Sequence, residues 1–198
     1  TDMMLHDDGH TNIRNQDALL SFDNYPDIIA LRDDQRADPA VFDVVLTNPP
    51  FGSIMRQETM EMLGRFVLGH KRKSLPLEIL GLERSLQFLR PGGRMAIVLP
   101  EHLMKGKSAL FVRRWLEGVA NVKAIFFFPE EAFTPYGAMI KTCLCIVRRL
   151  QEAEQPRSSA PTFLCEVENL GYDATGRPKE GSEVSAAIAA FHQEAPWL

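Results

Sequence analysis

An α/β fold with a mainly parallel sheet is what this sequence predicts, and three observations carry the prediction. Short strand-like runs alternate with helix-length segments along most of its 198 residues. The run Val41-Phe42-Asp43-Val44-Val45-Leu46 is halted by Pro49-Pro50, which can neither continue a sheet ladder nor sit inside a helix. Gly92-Gly93 separates a leucine-periodic segment from a further apolar run, Met95-Ala96-Ile97-Val98-Leu99. In an open α/β sheet ligands bind at the carboxyl ends of the strands, so the turn Asn48-Pro49-Pro50-Phe51 is the first place to look for chemistry.

Residues 1–20 form a polar, acidic entry, with a short strand expected to end near Asp17. Residues 21–40, rich in Asp and holding Pro26 and Pro39, suit a surface helix or a long loop. The run 41–46 reads as a buried strand. Residues 52–73 are irregular, Met-rich and then basic, and read as a mobile substrate loop. Leu77, Leu80, Leu82, Leu86 and Leu89 recur at helical spacing over 76–89, with Pro76 in the first turn and Gly92 or Gly93 as the stop. Because Gly92-Gly93 follows a helix and precedes a strand, it reads as cap and turn and not as a phosphate-binding loop. A strand over 94–100, a helix over 108–118 and strands over 122–128 and 140–147 come next. Residues 151–161 resemble a linker. A strand over 162–167, a tight turn over 171–178 and an amphipathic helix over 183–192 complete the chain. The expected division is 1–150 as a catalytic domain and 151–198 as an extension.

Composition excludes several classes. The chain is 45% hydrophobic and 24% charged, with no apolar stretch long enough to span a membrane and no signal-peptide pattern. Cys143, Cys145 and Cys165 make no CxxC pair; the first two alternate along a strand, which predicts buried reduced thiols and a cytoplasmic setting. No cysteine follows a proline, as cytosine-C5 methylation would need. His6 and His10 are four apart, but Gly9 weakens a helix there, and no metal is expected.

Charge is uneven. Residues 1–50 hold 3 basic and 10 acidic residues, residues 51–150 hold 16 and 8, and residues 151–198 hold 3 and 8. The positive excess includes Lys71, Arg72, Lys73, Lys105, Lys107, Arg113 and Arg114, a set suited to phosphate contact.

The tetrapeptide suits the holding of a planar aromatic amine. Asn48 offers a carboxamide oxygen, Pro49 a carbonyl on a stiff backbone, and Phe51 a ring on which a base can stack. The lone pair of an exocyclic amine is delocalised into its ring. Two acceptors on its two N–H bonds favour a pyramidal nitrogen that can attack an electrophilic methyl group. Orientation and electrostatics do this without a strong base. A base in a duplex must flip out to reach such a site.

At this point the sequence resembles the N6-adenine DNA methyltransferases, particularly the modification subunits of type I restriction systems. The segment Leu5-His6 to Asp17-Ala18-Leu19 is similar to the family's acidic cofactor segment, and 42–52 to its catalytic strand and turn. Residues 89–100, carrying Pro91-Gly92-Gly93, are similar to the next helix, turn and strand. Phe133-Thr134-Pro135-Tyr136-Gly137 with Lys141-Thr142 resembles the last catalytic-domain motif, and Gly171-Tyr172-Asp173 with Gly176-Arg177 the segment leading toward target recognition.

The resemblance implies a Rossmann-like fold and S-adenosyl-L-methionine as cofactor. It also implies double-stranded DNA with a flipped adenine as substrate, specificity and restriction subunits as partners, and a prokaryotic cytoplasm. Asn48, Pro49, Pro50 and Phe51 would be catalytic. Asp17, Ala18 and Asn48 would bind cofactor, Phe51 and Tyr136 would form the base pocket, and Lys71, Arg72 and Lys73 would meet phosphate. Gly81 stands where relatives often carry an aromatic residue.

The family's glycine-rich cofactor loop and ribose-binding acid precede the Asp17 segment, yet only Gly9 precedes Gly52 here. The expectation is a fragment without the first sheet strands, inactive alone and self-associating through a strand 41–46 left without a sheet neighbour. Phe126-Phe127-Phe128 reads as buried strand, whose exposure at a truncated edge would invite association. The alternatives are a non-catalytic module for DNA or subunit contacts, and a methyltransferase for a protein glutamine or an RNA base.

Overall fold

In chain order the elements of the computed structural model are α1 (Pro26–Ile29), β1 (Phe42–Thr47), β2 (Ile54–Met55), β3 (Leu75–Pro76), α2 (Leu77–Phe88), β4 (Leu89–Pro100), α3 (Glu101–Lys105), α4 (Leu110–Val119), β5 (Ala120–Phe128), β6 (Thr142–Arg149), β7 (Phe163–Glu166) and α5 (Val184–Glu194). Described residues are 13–30, 40–55, 66–151, 153–156 and 161–194. Among them the main sheet has the order β1-β4-β6-β5-β7. β1 runs parallel to β4 and β5 parallel to β7, while β6 is antiparallel to both β4 and β5. Four strands therefore point one way and β6 returns between them, in keeping with the expected mainly parallel sheet.

The two sides of the sheet are covered differently. Met95, Ile97 and Leu99 of β4 join Cys143, Cys145 and Val147 of β6 on one side. They are buried beneath Ile79, Leu82 and Leu86 of α2 and Val112 and Leu116 of α4. On the other side Ala124 and Phe126 of β5 pack with Val167 and Ala187, where Phe191 of α5 meets Phe126 ring to ring at 5.4 Å. The strand alternation that directs successive side chains to opposite faces produces both clusters. Cys143 and Cys145 are buried thiols, and burial pushes Cys143 up to about 12 and raises Cys145 as well, so neither is a nucleophile.

Most predicted elements are present within two or three residues: the helices at 77–88, 110–119 and 184–194, and the strands at 42–47, 120–128, 142–149 and 163–166. The turn over 171–178 closes with a Tyr172–Pro178 bridge.

Four expectations need correction. No strand ends at Asp17. The Leu19 N–H bonds the Asp17 carboxylate at 2.9 Å and the Leu20 N–H bonds the Asp17 carbonyl at 3.1 Å, so side chain and backbone close a turn there. The strand at 41–46 is neither buried nor without a neighbour. It pairs with β4 along one side, and its face carrying Phe42, Val44 and Leu46 is exposed, Leu46 at 76%. The expectation of a buried strand at Phe126-Phe127-Phe128 holds, since β5 lies between β6 and β7 and Phe126 is buried. Gly92-Gly93 does not separate α2 from the next strand. The helix passes directly into β4 at Leu89, and the turn is a bulge within β4, between the pairs Phe42↔Leu89 and Val44↔Arg94. Gly92 supplies its φ of +79°. The basic set is also not uniform. Arg113 donates to the Leu103 and Gly106 carbonyls, and Lys105 pairs with Glu101 at 2.5 Å, so both serve the fold.

His6, His10, most of the Met-rich loop at 56–65, and residues 152 and 157–160 of the linker lie outside the described residues.

Candidate functional site

The parallel pairing of β1 with β4 brings the carboxyl ends of both strands to one edge of the sheet. Asn48 is the first residue beyond β1 and is exposed there. Pro49 behind it is buried, Pro50 is exposed and Phe51 is half-buried. The same edge receives the end of β5 and the start of β6. The connection between these carries two single helical turns, Glu130–Ala132 and Thr134–Tyr136, with Phe133 between them. The Phe51 and Phe133 rings meet edge to face, 5.6 Å between centroids at 83°. That contact braces the Phe51 ring and ties the tetrapeptide to the motif containing Tyr136.

The turn after β1 is held from beneath by α2. Its first N–H, from Leu77, donates to the Ser53 carbonyl at 2.9 Å. One turn further along the helix, a Cβ added at Gly81 would stand 2.9 Å from the Pro49 Cβ. Glycine at 81 therefore permits a close approach that an aromatic residue would prevent. The departure noted in the sequence is a packing solution. Pairing of β2 with β3, Ile54 opposite Pro76, closes the base of the loop that follows.

Tyr136 is 81% exposed, on the same turn-rich connection as Phe133. Behind it, Tyr172 donates to the Ala132 carbonyl at 3.2 Å, and burial followed by the proximity of Tyr136 raises its phenol. Asp173 accepts from the Thr175 hydroxyl and from the Thr175 and Arg177 N–H groups. The Thr175 hydrogen bond first, then these N–H groups, hold its carboxyl below the usual range. The 171–178 turn thus supports the base of the connection from outside.

Asp17 and Ala18 are exposed, in the turn described above. One Asp17 oxygen accepts the Leu19 N–H and the Asp17 carbonyl accepts the Tyr25 hydroxyl. The residues fit the adenine end of a nucleoside cofactor. Beside Asp17, the Leu19 and Leu20 carbonyls accept hydrogen bonds from Arg84 of α2. Lys71, Arg72 and Lys73 are exposed, with Arg72 lying 3.7 Å over the Phe111 ring and Lys71 at a left-handed φ of +59°.

Sequence reasoning gave no role to Phe133, Glu83, Arg84 or Tyr172. Phe133 and Tyr172 stood inside quoted motifs, so a signal existed. Glu83 and Arg84 lie among leucines on a helix, where periodicity cannot separate a buried clamp from a solvated charge.

A family model for N-6 DNA methylases matches residues 1–187. The fold is similar to a protein from Vibrio vulnificus YJ016 assigned as the modification subunit of a type I restriction enzyme: TM-score 0.64, 19% identity, 97% of this chain and 37% of that one. It is similar to a protein of Listeria monocytogenes assigned as a class I S-adenosylmethionine-dependent methyltransferase, with TM-score 0.57 and 19% identity over 75% of this chain and 41% of that one. The M protein of the type I restriction enzyme EcoKI gives TM-score 0.50 and 22% identity, over 84% and 30% respectively. At these identities the likeness concerns the fold, and the chain spans 41% or less of each of these three proteins. A comparison with curated proteins returns no match.

Proposed function

This chain belongs to the N-6 DNA methylase family, and from that membership we propose that it forms part of an enzyme that methylates N6 of adenine in DNA within a restriction-modification system. The observation that carries the proposal is the Asn48-Pro49-Pro50-Phe51 turn at the carboxyl end of β1, with Phe51 braced by Phe133. S-adenosyl-L-methionine would supply the electrophilic methyl group. Asn48 Oδ1 and the Pro49 carbonyl would accept the two N–H bonds of the flipped adenine, drawing its nitrogen toward a pyramidal form. The exposed face of Phe51 would stack on the base, with Tyr136 closing the pocket. Asp17 and the Ala18 N–H would read the adenine of the cofactor. As N6 attacked the methyl carbon, the methyl–sulfur bond would break with its electron pair left on sulfur, the same two acceptors would stabilise the positive charge developing on N6, and the amine would then release its proton to solvent.

In this reading residues 1–150 carry the catalytic part, 151–198 lead toward target recognition, and the specificity and restriction functions belong to partner subunits or domains. The setting is the prokaryotic cytoplasm. No helix among the described residues is long and apolar enough to cross a membrane. Tritiated methyl incorporation into DNA by the complete parent protein, followed by identification of the methylated base, tests the function. Label in cytosine or in protein would refute it.

Phe51→Ala in the parent is expected to weaken capture of the flipped base, since base–aromatic stacking contributes roughly 1–3 kcal/mol. Fluorescence of 2-aminopurine at the target position reports the flip, and an unchanged response would leave Phe51 as a packing residue only. Neutralising Lys71, Arg72 and Lys73 is expected to flatten the salt dependence of DNA affinity whatever the DNA sequence. Each lost phosphate contact lowers the log–log slope by about 0.9. Identical slopes in wild type and variant would make the cluster a bystander.

A further inference from the structure

We propose that Arg84 is a positioning residue for the cofactor-reading segment Asp17-Ala18, tying that segment to the helix that also seats the base-holding turn. The proposal rests on the cofactor role given to Asp17 above. Arg84 is 4% exposed, a cation taken out of water in the middle of α2. Burial of this kind is costly unless the charge finds partners. Its Nη2 donates to the Leu19 carbonyl at 3.1 Å and the Leu20 carbonyl at 3.0 Å, directly after Asp17-Ala18. Its guanidinium lies over the Phe22 ring at 4.1 Å and the Phe66 ring at 4.8 Å, with Phe88 at 5.9 Å. Phe22 continues the cofactor segment, whereas Phe66 follows the loop that leaves the catalytic turn.

The bonds within the Asp17 turn shape it but do not place it. Leu19 and Leu20 bond back to Asp17, and the Tyr25 hydroxyl closes on the same residue. Placement relative to the base-holding turn comes from α2. Gly81 seats Pro49, Glu83 accepts the Val67 and Leu68 N–H groups at 2.6 and 2.9 Å, and Arg84 holds Leu19 and Leu20. Three segments distant in sequence are thus gripped within a single turn of one helix. Rigidity between positions 81 and 84 turns these grips into a fixed spacing between the amine acceptors and the cofactor-reading carboxylate. Lysine could not substitute fully, because it keeps a charged donor but lacks the planar guanidinium face that lies over the rings.

The test uses the complete parent protein with Arg84→Met, Arg84→Lys and Asp17→Ala. Cofactor affinity is measured by calorimetry, steady-state constants at saturating DNA, and thermal unfolding alongside. Arg84→Met is expected to raise Kd and KM for S-adenosyl-L-methionine about tenfold, the loss expected of hydrogen bonds from a charged donor. kcat at saturating cofactor falls by a smaller factor than KM rises, and Arg84→Lys falls between. Lowered thermal stability with an unchanged cofactor KM would reduce Arg84 to scaffold and overturn the proposal, as would a fall in kcat alone. Should Arg84→Met fail to fold, Arg84→Lys decides, and a wild-type KM in that variant overturns it. If Asp17→Ala leaves cofactor affinity unchanged, the reading of Asp17 fails and the proposal with it. If Asp17→Ala weakens binding while the Arg84 variants do not, only the positioning role fails.

Discussion

Asn48→Ala in the complete parent protein is expected to lower methyl transfer on the order of 10²–10³-fold while leaving DNA binding largely intact. Asn48 is exposed just beyond β1, so its loss is expected to leave the sheet and core in place. In the proposed mechanism, what disappears is one of two acceptors acting on charge that develops only as the new N–C bond forms. An interaction made mainly in the transition state appears in kcat and not in ground-state affinity. Methyl incorporation at saturating cofactor and DNA, with DNA affinity measured in parallel, separates the two. A near-normal rate would remove Asn48 from the chemistry. An equal loss in DNA binding would make it a docking residue.

How far the sequence foretold this site depends on the kind of signal each residue carries. The β1 strand and its double-proline stop were legible because Pro49-Pro50 can only end a strand, and strand ends in α/β sheets gather ligands. The helices at 77–88 and 184–194 were legible from the spacing of their apolar residues. Not legible was the order β1-β4-β6-β5-β7, since nothing local in 142–149 states that this strand returns antiparallel between two others. The segment at 13–20 was misjudged for a related reason. Its apolar and polar residues permit a strand, but Asp17 bonds its own following N–H groups and closes a turn instead. Exposure of Phe42, Val44 and Leu46 escaped prediction because a β-branched run looks alike whether one face or two are covered. The polar clamps of α2 escaped because burial of Glu83 depends on the Val67 and Leu68 N–H groups, fifteen and more residues away. Burial raises the Glu83 carboxyl, against the pull of those N–H groups.

Gly81→Ala sets local helix preference against the geometry of the turn. By propensity alone Ala would stabilise α2 by up to about 1 kcal/mol. The added methyl, however, would lie 2.9 Å from the Pro49 Cβ, closer than carbon atoms tolerate. Neither partner can turn away, since one is fixed to a helix and the other belongs to a proline ring, so the backbone must move. Overpacking of this kind costs typically about 1–3 kcal/mol, enough to cancel the propensity gain. The softer of the two elements is the Asn48–Phe51 turn, which is anchored to α2 by the Ser53–Leu77 hydrogen bond and to the connection after β5 by Phe133. A shift there would displace the Pro49 carbonyl and Asn48 together from the two N–H bonds that the proposed mechanism gives them. Misplacement approaching 1 Å costs on the order of 10² in rate. The expected result is a fall in methyl transfer of roughly that size with thermal stability changed little, because the two energetic effects oppose each other. Circular dichroism melting and methyl incorporation on the same preparation report both quantities. Wild-type turnover in Gly81→Ala would mean that the turn absorbs the methyl without moving its acceptors, and that α2 merely covers the site without setting its geometry.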